Sequence, residues 1–167
     1  AKKASMVMQL ELFSNLQFYI PRLLDYGNCI DLNFESPGYN DLFIYQWYPL
    51  EIGKINEENK LQIIKQNNIP RIFRYLTGSS NIFEYNDELW CITHFVSLPR
   101  KYFHKVIVLD KNFNIKRYSI PFYFDLGIEY CLGLIIIDNV LYATTSRNDS
   151  EPIICNIHID KIFWFYI

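Results

Sequence analysis

Three observations predict an all-β chain, a β-propeller-like fold of about three blades of antiparallel strands. The sequence repeats at a period of about 50 residues, apolar and polar residues alternate around short polar turns, and aromatic residues make up 17% of the chain. Aromatic and β-branched side chains favour a pleated, half-buried surface.

The repeat is clearest between Ile82–Phe95 (IFEYNDELWCITHF) and Leu134–Arg147 (LIIIDNVLYATTSR), which align without gaps at an offset of 52 residues. Asn86-Asp87 falls on Asp138-Asn139, Leu89 on Leu141, Trp90 on Tyr142 and Thr93 on Thr145. Each segment predicts a strand, a tight turn and a second strand. Val108–Lys111 then matches His158–Lys161 at an offset of 50, a third strand running into a turn. Residues 112–122 supply an outer strand. A weaker copy lies upstream: a turn at Asn40-Asp41, a strand over Leu42–Tyr48, a start of the next at Ile52–Asn56 and a closing strand at Leu61–Lys65. Glu57–Gln66 allows one helical turn at most, and Gly and Pro punctuate the rest too often for long helices.

A β-sandwich with chance-like hairpins is the alternative fold. Three blades are fewer than the four to eight of closed propellers, and an open arc leaves unpaired edges. The chain is therefore expected to belong to a longer protein, to associate with itself, or to use residues 1–35 as divergent extra strands beside a propeller-like domain at 36–167. Met6–Leu12 alternates as a strand does.

A net charge of −2 with no basic block argues against a nucleic-acid partner, and no apolar run is long enough to span a membrane. Cys29, Cys91, Cys131 and Cys155 form no CxxC pair, which fits reduced thiols in a cytoplasmic protein, of a host cell if the chain is viral. No secretory signal follows Ala1, so Asn148-Asp149-Ser150 reads as a chance glycosylation sequon.

Several side chains could carry chemistry. His94, at a strand end, can donate to a hydroxyl or phosphate oxygen, or bond to backbone. Arg100, Tyr102 and His104 follow a loop at Ser97–Arg100. Arg100 offers a planar fork to phosphate or pairs a surface carboxylate, and Tyr102 and His104 share one strand face. A strict four-residue loop would put His94 and His104 on opposite faces, and no third ligand is evident, so neither a metal site nor a cofactor is expected. Glu129 lies between Ile128 and Tyr130 in an apolar strand, where a carboxylate needs a partner or a raised pKa. It is the candidate general acid or base, with Asp149 as the second carboxylate or a turn residue. Tyr45 and Trp47 lie on one face of a strand, for sugar stacking or core packing, and Trp90 reads as core. Gly78-Ser79-Ser80 lacks the lysine and helix of a phosphate loop. Ser80 either lines a pocket floor or enters a blade.

From Ser36 to Ile157 the chain resembles a propeller-type domain of giant viruses, encoded beside or fused to glycosyltransferases. The resemblance rests on IYQWYPLEIGKI (44–55), TGSS (77–80), LWCITHFV (89–96), PRKYFH (99–104), PFYF (121–124), IEYCLG (128–133) and SRND (146–149). More distantly, the order Gly78-Ser79-Ser80, Trp90–Val96, Leu109-Asp110 and Thr144–Asp149 is similar to the five-bladed mannoside phosphorylases and hydrolases. Thr-His-Phe-Val stands here where that family has Tyr-His-Gly-Val, and its general-acid Asp has no counterpart. The resemblance implies a glycan or sugar-phosphate partner at a central mouth, with His94 as the phosphate- or sugar-contacting histidine. The competing reading is a propeller without chemistry, serving as scaffold or protein-interaction module.

Overall fold

A computed structural model describes residues 38, 39, 41–125, 127–148 and 150–167. The expected N-terminal segment 1–35, the strand at Met6–Leu12, Cys29 and Asp149 lie outside the described residues. The described chain is all-β, with thirteen strands and two 3-10 turns, at Arg71–Phe73 and Ile159–Lys161. No helix among the described residues is long and apolar enough to cross a membrane.

The strands form three antiparallel sheets. The first is a meander of β1 (Gly38–Tyr39), β2 (Leu42–Trp47), β3 (Leu50–Ile55) and β4 (Leu61–Asn67). The second is built on β7 (Glu88–Ser97) and β8 (Lys101–Leu109). Both β5 (Thr77–Gly78) and β6 (Phe83–Tyr85) pair with β7, while β9 (Ile115–Ser119) and β13 (Trp164–Tyr166) extend the sheet beyond β8. The third contains β10 (Glu129–Ile137), β11 (Val140–Arg147) and β12 (Glu151–His158).

The second sheet is apolar on both faces, which explains the near-continuous hydrophobic run of its central strands. Leu89, Cys91, Ile107 and Leu109 pack with Ile44, Trp47, Leu50 and Ile52 of the first sheet. The alternate residues Trp90, Ile92, Val106 and Val108 pack with Cys131, Leu134, Ile136, Leu141 and Ala143 of the third. The period of two along a strand thus feeds two separate cores. Each buried Leu or Ile contributes about 1.5–3 kcal/mol relative to exposure, so these two layers dominate the cohesion of the stack.

The repeated hairpins have the same turn. Asn86 and Asp87 have φ of 50° and 61°, and Asp138 and Asn139 have 50° and 62°. Positive φ at both central residues is the two-residue turn whose twist matches paired strands, and Asn and Asp tolerate it. Polar side chains then fasten one repeat to the next. Ser79 Oγ donates to the Cys131 carbonyl at 2.7 Å. Asn81 accepts from the Leu134 amide at 2.8 Å and donates to its carbonyl at 3.2 Å.

The third repeat departs from the second at its end. β9 pairs with β8, but β13 leaves β12 and pairs with β9 instead. Among the described residues, the outer edge of β12 therefore has no strand beside it. Pro152, near the start of β12, is the residue type that natural edge strands tolerate, since it removes a donor from the ladder.

Two sequence expectations fail here for local reasons. Tyr45 and Trp47 do not share a face: a bulge between Ile44 and Gln46 leaves Tyr45 exposed and turns Trp47 into the first core. His94 and His104 do share a face. The loop is three residues, Leu98–Arg100, and the register sets His94 directly opposite His104.

Candidate functional site

The histidines sit where the second and third sheets meet, at the end that carries the β7–β8 hairpin. Around them gather Tyr102, Phe122, Phe124, Glu129 and Tyr130. The antiparallel register makes this cluster: β7 and β8 bring His94 and His104 together, and the start of β10 lies over them.

Glu129 is 1% exposed. One carboxylate oxygen accepts the Phe124 amide at 2.8 Å and the other accepts the Asp125 amide. Such charge-assisted bonds compensate for burying the carboxylate and hold the 122–125 segment over His104. The same carboxylate lies 3.3 Å from His104 Nε2, yet neither ring nitrogen of His104 makes an aligned hydrogen bond. Burial with Phe124 and Phe122 at centroid distances of 4.8 and 5.8 Å disfavours the imidazolium. Desolvation pushes the His104 pKa down to about 4, with nearby Glu129 opposing the shift in part.

His94 is anchored from β5. Thr77 Oγ1 lies 2.9 Å from His94 Nε2 and 3.2 Å from the His94 carbonyl, and its hydroxyl proton can go to either. Nδ1 of His94 is buried and has no hydrogen-bond partner. Burial also pushes its pKa down. Tyr102 and Tyr130 flank its ring at centroid distances of 5.7 and 5.9 Å, and the His104 ring lies at 6.3 Å.

The other candidates fall elsewhere. Arg100 is exposed in the hairpin turn at φ 61°, away from the buried cluster it was expected to join. Ser80 is 2% exposed and fully occupied, accepting from the Ile92 amide and donating to the Asn81 carbonyl, both at 2.8 Å. Trp47 lies in the core between the first and second sheets, on the opposite side of the middle sheet from His94. Trp90 is core, as expected, at 2% exposure. Asp149 is outside the described residues.

Sequence reasoning missed Arg147 and Asp125. Arg147 stands opposite Glu129 in the β10–β11 register and pairs with Asp125 at 2.9 Å and Glu151 at 3.4 Å. Glu129 thus holds the backbone of Asp125 while Arg147 holds its side chain. Arg147 falls within the SRND motif, but only the β10–β11 pairing places it beside Glu129. Among the described residues, no group of three or more His, Cys, Asp or Glu is arranged to hold a metal ion. Chemically, the cluster holds two buried imidazoles with unpartnered ring nitrogens, the rings of Tyr102 and Tyr130 beside them, and a Glu129 carboxylate engaged by two backbone amides.

Compared with known protein families, with characterised proteins and with solved structures, the chain matches none.

Proposed function

We propose that the chain is a propeller-type module, its three stacked sheets being successive blades, and that it recognises carbohydrate rather than turning it over. One observation carries this reading. The buried His94 ring is flanked by Tyr102 and Tyr130 at the hairpin end of the sheets. Tyrosine rings offer flat apolar faces to sugar C–H groups. The resemblance to propeller domains that accompany glycosyltransferases, and to mannoside phosphorylases, supports a mannose-type glycan or sugar phosphate as the ligand class. Hydrolysis is disfavoured because the Glu129 carboxylate is occupied by two backbone amides.

A mannose-type glycan array, followed by calorimetry with and without phosphate, tests this. Binding should weaken about tenfold in Tyr102→Ala and in Tyr130→Ala, which corresponds to about 1.4 kcal/mol each. A folded chain that binds no such glycan would overturn the reading. The scaffold alternative is favoured by the Ser79 bond to β10, in which a residue of the TGSS motif is spent on joining sheets, as is its neighbour Asn81. It predicts that both tyrosine variants lower the denaturation midpoint and change no ligand affinity.

A further inference from the structure

A second feature lies at the opposite end of the sheets, remote from the β7–β8 hairpin. A groove of about 310 Å³ opens between the exit of β4 and the entry to β9. Four amide side chains, Gln66, Asn67, Asn68 and Asn114, line it, with Ile69 and Ile115 among its apolar walls. Small-molecule sites run from roughly 300 to 1,000 Å³, so the groove suits a ligand the size of one sugar ring.

The amides are ordered before any ligand arrives. Asn114 Nδ2 donates to Asp110 at 2.8 Å, and Asn114 Oδ1 accepts from Lys65 at 3.1 Å and from Asn67 at 3.3 Å. Gln66 donates to Glu51 at 2.7 Å. The charged partners Lys65, Asp110 and Glu51 are thus already engaged with the amides. Asn68 is exposed at the groove, and its side chain has no hydrogen-bond partner among the described residues. An amide supplies two donors and an acceptor at once, matching adjacent hydroxyls that each donate and accept. A lining without formal charge gives no reward to phosphate or carboxylate.

We propose that this groove is a binding site for an uncharged polyhydroxylated ligand, a neutral sugar unit, with Asn68 as its principal contact. The assignment stands on the groove itself and does not depend on the His94 end binding sugar.

The test is amide-resolved NMR of the full chain titrated with methyl α-mannoside, with glucose, and with inorganic phosphate. At least one sugar should shift the backbone and side-chain amides of Asn67, Asn68 and Asn114 saturably, and phosphate should not. Asn68→Ala, which breaks no bond of the fold, should weaken that binding about tenfold. Sugar shifts confined to residues around His94 and Tyr102 would overturn this site while leaving the other intact. Equal binding by Asn68→Ala, an equal response to phosphate, or no shift at these amides would overturn it as well.

Discussion

His94 and His104 face each other across β7 and β8 with ring centroids 6.3 Å apart, and neither Nδ1 has a hydrogen-bond partner. Two imidazoles held this way are tolerable only while both are neutral, because each is buried and a second positive charge would sit beside the first. Thr77 holds the ring of one through Nε2, and the phenylalanines around the other exclude the water that would stabilise its charge.

Stability should therefore depend on pH in a defined window. The folded-state pKa of His104 is about 4, below its ordinary value of 6.5, and that of His94 is also lowered. Between these limits the unfolded chain binds more protons, so stability is full above about pH 6.5 and falls as pH drops toward 4. For His104 the full effect is about 3 kcal/mol at 1.36 kcal/mol per unit. Urea denaturation at pH 7 and pH 5 should show a clear fall. The depressed carboxylates Glu84, Glu88 and Asp110 stabilise the fold in full at neutral pH and lose that contribution only below the ordinary carboxylate range, as they protonate first in the unfolded chain. A flat profile from pH 7 to 5 would contradict neutral buried histidines.

Glu129 is predicted to act through the backbone it holds. Glu129→Gln keeps one acceptor oxygen and sets an NH2 against a backbone N–H, so one amide, of Phe124 or Asp125, loses its partner. That should cost about 1–3 kcal/mol. Hydrogen exchange should accelerate at the Phe124 and Asp125 amides specifically. Unchanged stability combined with loss of a measured glycan turnover would instead make Glu129 a catalytic group.

What the sequence made legible was local. Asn86-Asp87 and Asp138-Asn139 announce their turns because Asn and Asp are the side chains that accept positive φ, and a two-residue turn fixes the register beside it. What it concealed depends on single-residue offsets. One residue fewer in the Leu98–Arg100 loop brings His104 to the face of His94. One bulged residue at β2 separates Tyr45 from Trp47. The partners of Glu129 come from residues 124 and 125, whose path is set by Arg147, twenty-two positions beyond Asp125 in the chain. No periodicity encodes that contact. The diversion of β13 to β9 was equally hidden, since a third repeat matching the second predicts a strand beside β12.

That diversion makes a prediction about Arg117. Its guanidinium forms two bonds to the Glu88 carboxylate, at 2.8 and 2.6 Å, and lies 5.2 Å from the Trp90 ring and 5.1 Å from the Trp164 ring. Arg117 therefore clasps β13 to the sheet from between two indoles. Lysine cannot reproduce the planar fork or the stacking, so Arg117→Lys should cost about 1–2 kcal/mol. The Trp164 fluorescence environment should become more solvent-like, and limited proteolysis should cut within residues 162–167 first. Protection of that segment equal to the parent chain would mean that the β9–β13 backbone pairing suffices without the clasp.

The hairpin turns give the last prediction, and it has the opposite sign. Asp87 holds φ 61° with a side chain that is 91% exposed and lies 3.8 Å from Lys111. A surface ion pair at that distance is worth little, whereas a non-glycine residue in the left-handed region carries a conformational cost. Glycine removes that cost but adds entropy to the unfolded chain, and the Asn-Gly pair it would create is the strongest of the two-residue turn sequences. Asp87→Gly should raise the denaturation midpoint by the equivalent of about 0.5–1 kcal/mol. The matching change at Asn139 should not help, because its side chain accepts the Tyr85 hydroxyl at 2.7 Å and so ties the third repeat to the second. Gains of equal size from Asp87→Gly and Asn139→Gly would show that the Tyr85 bond contributes nothing to holding the repeats together.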